Sequence, residues 1–288
     1  MCYQVEPAHF LSASKGLSMD DPTIKSPTNQ TIKELVRLKA RKGEWSQRAF
    51  LVEGAREIER AISQGFILDK FFVCQDLAGS AGKSVLRKLA GFKAVTVAQD
   101  AFSKVATRDS SDGVLAVFMH RTFKFEDILK RTRADCPFIV AIESVEKPGN
   151  LGAILRSADG AGVHGVVILG QDIDIWNPNV IRASLGGIFS VPTVRLEPED
   201  FFAQCKQLKI KTVAAALSNK SSSVFFENLK EPVSVIFGSE AHGLSDAIID
   251  RCDSSIVIPM KGVCDSLNVS VAAGIVMYET LRQRMTSG

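Results

Sequence analysis

Five polar side chains in this 288-residue chain stand where their types and spacing can do chemistry: Asn150, Arg156, Glu240, Ser266 and Asn268. Ser266 and Asn268 fall where a glycine-bearing polar loop, KGVCDSLN, gives way to a helical run, VSVAAGIVMYETLRQR. At such a junction free backbone N–H groups and side-chain oxygens can both reach a ligand. The ordinary alternative is that either residue is only an N-cap. Arg156 lies six residues after Asn150 in NLGAILRSADGAG. Taken alone it is an arginine on a helix surface. Asn150 has an amide that both donates and accepts, and Glu240, in FGSEAHGLSD, taken alone is a turn carboxylate. His242 next to it invites a general-base role, but a lone loop histidine is more often incidental.

These residues sit in three longer stretches, Ile142 to Leu169, Val235 to Met260 and Ile256 to Arg284. Over about Phe138 to Arg284 the chain resembles the SpoU (TrmH) family of the SPOUT class, which are S-adenosylmethionine-dependent RNA 2′-O-ribose methyltransferases. Asn150, Gly152 and Arg156 fit the first motif, N-x-G-x-x-x-R. Gly238, Glu240, Gly243 and Leu244 fit the second, and Ser266, Leu267, Asn268 and Ser270 fit the third. Two positions depart from the pattern: Ala241 stands where a glycine is expected, and Asp265 where a small polar residue is more usual.

The resemblance implies a catalytic set of Arg156, Asn150, Glu240, Ser266 and Asn268. It implies cofactor contacts at Gly238, Ile258 and Leu267, and RNA contacts at Arg182 and Ser184. It also implies a homodimer and a deep trefoil knot near the C-terminus. The family assigns the arginine as the catalytic group, often as general base. A neutral guanidine is scarce at pH 7, because arginine's pKa exceeds about 12. A charged guanidinium clamping a phosphate and the developing alkoxide is the physical alternative. Asn150 would orient the ribose or Arg156, and Glu240 would order the site by hydrogen bonds.

Such groups need rigid elements behind them. From Cys136, short β-branched strands alternate with helices: PFIVAIE, VHGVVIL, the run around IFSVPTVRL, KTVAAAL, VSVIFG and IVIPM. This pattern predicts a parallel sheet covered on both faces. No G-x-G-x-x-G opens any unit, which disfavours a dinucleotide fold. Between Thr31 and His120 a second, smaller β/α alternation appears, with strands AFLVEG, LDKFFVCQD, AVTVAQD and GVLAVFMH. Its order, and RAFLVEGAREIERAI, resemble the ribosomal-protein-like RNA-binding domain of many SpoU enzymes. Thr31 and Glu34 have the spacing of a capping box. Arg37, Lys39, Arg41, Lys42 and Arg48 crowd after it, either as a solvated face or as phosphate contacts. AGSAGKS, residues 78–84, imitates a phosphate loop but has Leu77 where the required glycine belongs, and reads as a turn and helix start.

The division that follows is a disordered extension at 1–28, an α/β RNA-binding domain at 29–120, a charged linker at 121–135 with KRTR at 130–133, and a methyltransferase domain at 136–288. Met19 is a candidate start within the extension. The fold class expected is thus α/β, a knotted parallel-sheet SPOUT domain preceded by a small α/β RNA-binding domain.

Hydrophobic residues make up 45% and charged residues 23%, the balance of a soluble globular protein. The net charge is only +3, so RNA binding must rest on local clusters. Six scattered cysteines without a C-x-x-C read as free thiols in a reducing cytoplasm, with no metal site. No apolar run approaches the roughly 20 residues of a membrane span. The expected function is S-adenosylmethionine-dependent methylation of a ribose 2′-hydroxyl in structured RNA, ribosomal RNA favoured over transfer RNA. The alternatives are a transfer-RNA ribose methyltransferase, a SPOUT enzyme acting on a base, and a non-catalytic RNA-binding protein that kept the fold.

Overall fold

Strand-forming runs rich in Val, Ile and Phe become the sheets of two separate units, residues 1–120 and 121–288, in the computed structural model. It describes residues 23–107, 111–131, 136–170, 173–218, 221–240 and 242–286. Most of the expected extension with Met19, the 132–135 end of the expected linker, and Ala241 lie outside these residues.

The first unit begins with α1 (Gln30–Lys39), capped not at Thr31 but at Asn29, whose side chain accepts the Thr31 N–H at 2.8 Å. Asparagine two residues earlier takes the orphan donor, and Ile32, Leu35 and Leu38 then fall on the buried face. The unit continues through β1 (Ala49–Glu53), α2 (Ala55–Ser63), β2 (Leu68–Val73), α3 (Ser80–Lys88), β3 (Ala94–Thr96), α4 (Gln99–Val105) and β4 (Val114–Met119). The sheet order is β1-β4-β2-β3, with β4 antiparallel to both neighbours and β3 parallel to β2. Alternation along the strands sends Leu51, Phe72, Leu115 and Val117 into a core with α1 and α4. The phosphate-loop look-alike is α3, and a Cβ on its Gly82 would stand 2.1 Å from the Asp112 carbonyl oxygen. That glycine is packed against backbone and cradles nothing. Ile24, within the expected extension, bridges to Val97 at the β3 end of the sheet.

In the second unit the expected linker contains a core helix. α5 (Phe125–Leu129) buries Phe125 and Ile128 in the same cluster as the strands that follow, and Ile128 presses on Gly165. The charged residues around this short apolar stripe hide it from a composition reading. The unit then runs β5 (Phe138–Glu143), α6 (Pro148–Gly160), β6 (Gly165–Leu169), α7 (Pro178–Ser184), α8 (Gly187–Ser190), β7 (Thr193–Leu196) and α9 (Pro198–Gln207). β8 (Lys211–Ala215), β9 (Ser221–Ser223), β10 (Val233–Phe237), α10 (Asp246–Ile249), β11 (Ser254–Val257) and α11 (Val269–Met285) complete it. The sheet order is β7-β6-β5-β10-β8-β11-β9, and every pairing is parallel.

Two elements differ from the sequence reading. Ile188 to Ser190, expected within a strand, form α8, because Leu185 and Gly186 in left-handed conformations turn the chain just before it. The three serines of β9 carry no apolar signal and become a strand only through pairing with β11. At the far end of α11, Arg284 donates to the carbonyls of Cys136, Leu229 and Glu231 at 3.0, 3.2 and 2.8 Å and lies over the Phe138 ring. This arginine ties the last helix to the segments that enter β5 and β10. No helix among the described residues is long and apolar enough to cross a membrane.

Candidate active site

A parallel sheet delivers the loops after all its strands to one edge, and ligands bind at that carboxyl edge. Here β5 and β10 are neighbours, with β11 two places beyond β10. The segments that follow these three strands carry the three motifs, and residues 90 to 118 positions apart meet there.

Glu240 is the hub. Its Oε1 accepts the Asn150 amide at 2.6 Å and also the Asn268 amide, and its Oε2 accepts the Lys147 ammonium. The Asn268 Nδ2 also reaches Asn150 Oδ1 at 3.2 Å. Asn268 is in addition the N-cap of α11: its Oδ1 accepts the Ser270 N–H at 2.9 Å and the Ser270 hydroxyl at 2.5 Å. The cap and the site residue are therefore one side chain. The hydrogen bonds from Lys147, and then from Asn150, hold the Glu240 carboxyl below the usual carboxylate range.

The loop carrying Glu240 is closed by its own backbone. Ser239 and Gly243 exchange two hydrogen bonds of 3.0 Å, with Gly243 at φ +67°. A Cβ on Gly238 would stand 2.0 Å from the Gly243 carbonyl carbon, so loop closure already demands this glycine. Glu143, which the sequence reading did not single out, anchors the far end of the loop. Its carboxylate accepts the Ser245 N–H at 2.8 Å and hydroxyl at 2.7 Å, at the start of α10. A carboxylate at the last position of a strand facing a Ser-Asp helix start was the available signal.

Beside the hub is a cavity of about 300 Å³. Gly238, Ile258 and Leu267, the three expected cofactor contacts, all line it, as do Glu240, Ser266, Asp265 and Met260. Val269 and Val276 of α11, Ala215 at the end of β8 and the following Ala216 and Leu217 close its apolar side. A larger open cleft of about 870 Å³ lies around Lys206, Lys211 and Arg251 and carries none of the motif residues.

Arg156 is not drawn into this cluster. It is exposed on α6, about 9 Å further along the axis than Asn150 at 1.5 Å per residue. Among the described residues it has no hydrogen-bond or ion-pair partner. Its helix is pressed against α7 and α8, where side chains on Gly152 and Gly187 would strike Ala183 Cβ at 2.5 Å and the Leu155 carbonyl at 2.8 Å. Arg182 is exposed on α7 and donates to Asn179 Oδ1 at 3.1 Å. Ser184, an expected RNA contact, is instead buried with its hydroxyl on the Ile181 carbonyl. His242 is exposed, and its backbone N–H donates to the Ser239 hydroxyl.

Comparison with known proteins identifies the family. Residues 137–278 match the SpoU rRNA Methylase family, and residues 29–116 match the MRM3-like substrate binding domain. A crystal structure of an RNA 2′-O ribose methyltransferase is 37% identical, with a TM-score of 0.79 over 92% of this chain and 100% of that one. The chain belongs to the SpoU methylase family. The 23S rRNA (guanosine(2553)-2′-O)-methyltransferase RlmP of Bacillus subtilis is 28% identical over 88% of this chain and 97% of its own length. An AdoMet-bound rRNA methyltransferase from Sinorhizobium meliloti is 27% identical, with a TM-score of 0.79 over 91% and 97% of the two chains. As a SpoU enzyme this protein is an RNA 2′-O-methyltransferase whose methyl donor is S-adenosylmethionine.

The basic cluster of this SpoU chain's first unit divides in two. The Lys39 ammonium donates to the Val105 and Ala106 carbonyls at 2.7 and 3.1 Å, at the end of α4. The Arg41 guanidinium donates to the Ala49 and Ser46 carbonyls at 2.8 and 2.7 Å. Both were expected as RNA contacts, and both instead tie down backbone. Arg37, Lys42 and Arg48 are exposed around a cleft of about 560 Å³. Trp45 and Lys70, missed in the sequence, share that cleft, with the Lys70 ammonium 4.6 Å above the indole ring. Glu34, Glu44 and Asp69 on the same rim temper its charge.

Proposed function

We propose that this enzyme methylates a ribose 2′-hydroxyl in ribosomal RNA. The observation that carries the reading is the meeting of three distant motifs on Glu240 beside one apolar-walled cavity. The cavity suits the cofactor: Ile258 and Leu267 offer a slot for a flat adenine, and backbone groups of the 238–243 and 258–267 segments are within it. The carboxylates of Glu240 and Asp265 complement a cationic ligand, which makes Asp265 compatible with the site.

S-adenosylmethionine supplies a methyl group on a cationic sulfur, open to in-line attack by an oxygen. The chain's part is to bring that oxygen close and collinear, which can account for about 7–11 kcal/mol of barrier in favourable cases. In this reading Asn150, held by Glu240 and Asn268, presents its remaining amide hydrogen to the ribose together with Ser266, while Asn268 fixes Asn150 in place. Arg156, exposed and without a partner among the described residues, clamps an RNA phosphate and stabilises the developing alkoxide as a cation, not as a base. Arg182 adds a second phosphate contact, and Arg37, Lys42 and Arg48 add further ones from the first unit. The ribosomal substrate is favoured by the B. subtilis relative's 23S target and by the substrate-binding match of residues 29–116.

The reading extends to a homodimer, a cytoplasmic setting and a knotted C-terminal segment. Val271, Tyr278 and Met285, seven residues apart on α11, are all exposed and form one stripe. The five described cysteines are free, in keeping with a reducing compartment. The knot rests on membership of the family, with the segment after β11 returning to the cavity that the 238–243 loop also walls. The decisive experiment maps 2′-O-methyl sites in total RNA from cells with and without the protein, followed by single-turnover transfer to the RNA found. A lost site in ribosomal RNA is the expected result. A lost site in transfer RNA alone would reject the substrate, and light scattering showing a monomer would reject the dimer.

A further inference from the structure

We propose that Lys147 is a positioning residue for methyl transfer: by holding Oε2 of Glu240 it locks the carboxylate so that Oε1 orients the amides of both Asn150 and Asn268. The inference rests on the proposed site, and adds to it a residue that none of the motif matches singled out.

The geometry is specific about what Lys147 controls. Among the described residues Glu240 has three donors for its two oxygens, with both asparagine amides on Oε1 and the lysine on Oε2. The last torsion of a glutamate is soft and broad, so a carboxylate held at only one oxygen swings about that contact. Lys147 removes that freedom. Because each amide nitrogen points at Glu240, each amide oxygen is directed elsewhere: Asn268 Oδ1 to Ser270, and Asn150 Oδ1 to the Asn268 nitrogen. A carboxylate swung off this orientation would weaken both amide contacts, and a flipped Asn268 would also surrender the cap of α11.

The lysine is well placed for this task. It is the N-cap position of α6 and makes no side-chain cap, leaving its ammonium for Glu240. Pro148 follows and restricts Lys147 to extended backbone, observed at ψ 118°. The Lys147 side chain is 70% exposed, so as a surface ion pair it adds little to stability. Its effect should therefore fall on orientation.

The charged and titratable groups on the segments that meet at Glu240 are Glu143 at the end of β5, Glu146 and Lys147 before α6, Arg156 further along α6, His242 in its own loop, and Lys261 and Asp265 after β11. Glu143 is engaged by Ser245. Lys147 acts first among the groups that hold the Glu240 carboxyl below its ordinary range. Ionised Glu240 accepts the Lys147 ammonium and both amides, whereas a carboxyl protonated at Oε2 gives up the ammonium and with it the hold that fixes Oε1. Activity that depends on ionised Glu240 is present above its folded pKa and is lost as pH falls through that value. Removing Lys147 raises that pKa, so the acid limb of the rate profile moves upward.

The test uses the full chain with Lys147→Met and Lys147→Arg. Cofactor binding is measured by calorimetry. Single-turnover transfer is followed from neutral into acid pH, with RNA saturation measured separately. The side-chain amide signals of Asn150 and Asn268 are followed in asparagine-labelled protein. We expect Lys147→Met to bind cofactor, lose about tenfold in single-turnover rate, show an acid limb displaced upward, and show both amide signals titrating at higher pH. Lys147→Arg should restore all three. An unchanged rate and profile in Lys147→Met would overturn the proposal. So would a change confined to the RNA concentration needed for saturation, which would make Lys147 an RNA contact. Amide signals that follow Lys147 in a chain transferring no methyl group to any RNA would strike the proposed site, and leave the Lys147–Glu240–asparagine linkage standing.

Discussion

The two units treat their polar side chains differently, and the difference follows from how their strands run. In the second unit every strand pairing is parallel, so successive loops return to one edge and three distant motifs converge on Glu240. In the first unit β4 runs antiparallel to β1 and β2, so loops leave the sheet at both ends. The basic cluster marked out in its sequence comes from one stretch, 37 to 48, and each member takes the task its local position allows. Lys39 and Arg41 tether carbonyls, while Arg37, Lys42 and Arg48 remain exposed. A parallel sheet assembles a site from residues far apart in the chain. A local cluster of charge becomes a site only for the members that backbone does not claim.

The largest expected effect falls on the converging site. Arg156→Ala should lose about 100-fold or more in single-turnover methyl transfer while still binding S-adenosylmethionine. Arg156→Lys should recover little, because lysine lacks the planar fork. Near-normal transfer by Arg156→Ala would return this arginine to an ordinary helix surface. The convergence itself can be broken at Gly238. Gly238→Ala places a methyl group 2.0 Å from the Gly243 carbonyl carbon, and should cost about 1–3 kcal/mol in chemical denaturation together with cofactor affinity. Unchanged stability and affinity would show that the 238–243 loop is not held as tightly as its geometry implies.

The division within the basic stretch is sharpened by two variants of equal charge loss per residue. The triple change Arg37→Ala, Lys42→Ala and Arg48→Ala should weaken RNA binding and reduce the salt slope by about 3, with the unfolding midpoint unchanged. The pair Lys39→Ala and Arg41→Ala should instead lower the unfolding midpoint and move the slope less. Equal slopes from the two variants would erase the distinction.

The smallest effect concerns His164, whose Nδ1 accepts the Phe138 N–H at 2.9 Å at the start of β5. Burial, and then the positive charges of Arg284 and Arg131, push its pKa down. A depressed histidine contributes stability above its unfolded value of about 6.5, and that contribution is lost as pH falls through the lower folded value. Unfolding midpoints should therefore decline over that window in the wild type and decline less in His164→Gln, which keeps an acceptor but does not titrate. Identical pH dependence in the two proteins would dismiss the histidine.

Much of the site was legible because glycine and amide spacing is written into short motifs. N-x-G-x-x-x-R, the Gly238–Leu244 stretch and SLNVS each sit at a strand-to-helix junction, and local sequence determines such junctions. The alternation of β-branched runs with helices likewise determined an α/β fold with a parallel sheet in the second unit. Other features depended on partners that no local pattern names. The three serines of β9 became a strand only beside β11, and Phe125 and Ile128 became core only because a sheet lay under them. Lys39 and Arg41 are indistinguishable from Lys42 and Arg48 in the sequence, and only the position of carbonyls at the end of α4 and in the 46–49 segment separated tether from free cation. Glu240 showed itself as a motif carboxylate. Its union with Lys147, Asn150 and Asn268 was decided by tertiary structure, because hydrogen bonds are made by distance in space and the sequence orders residues only along the chain.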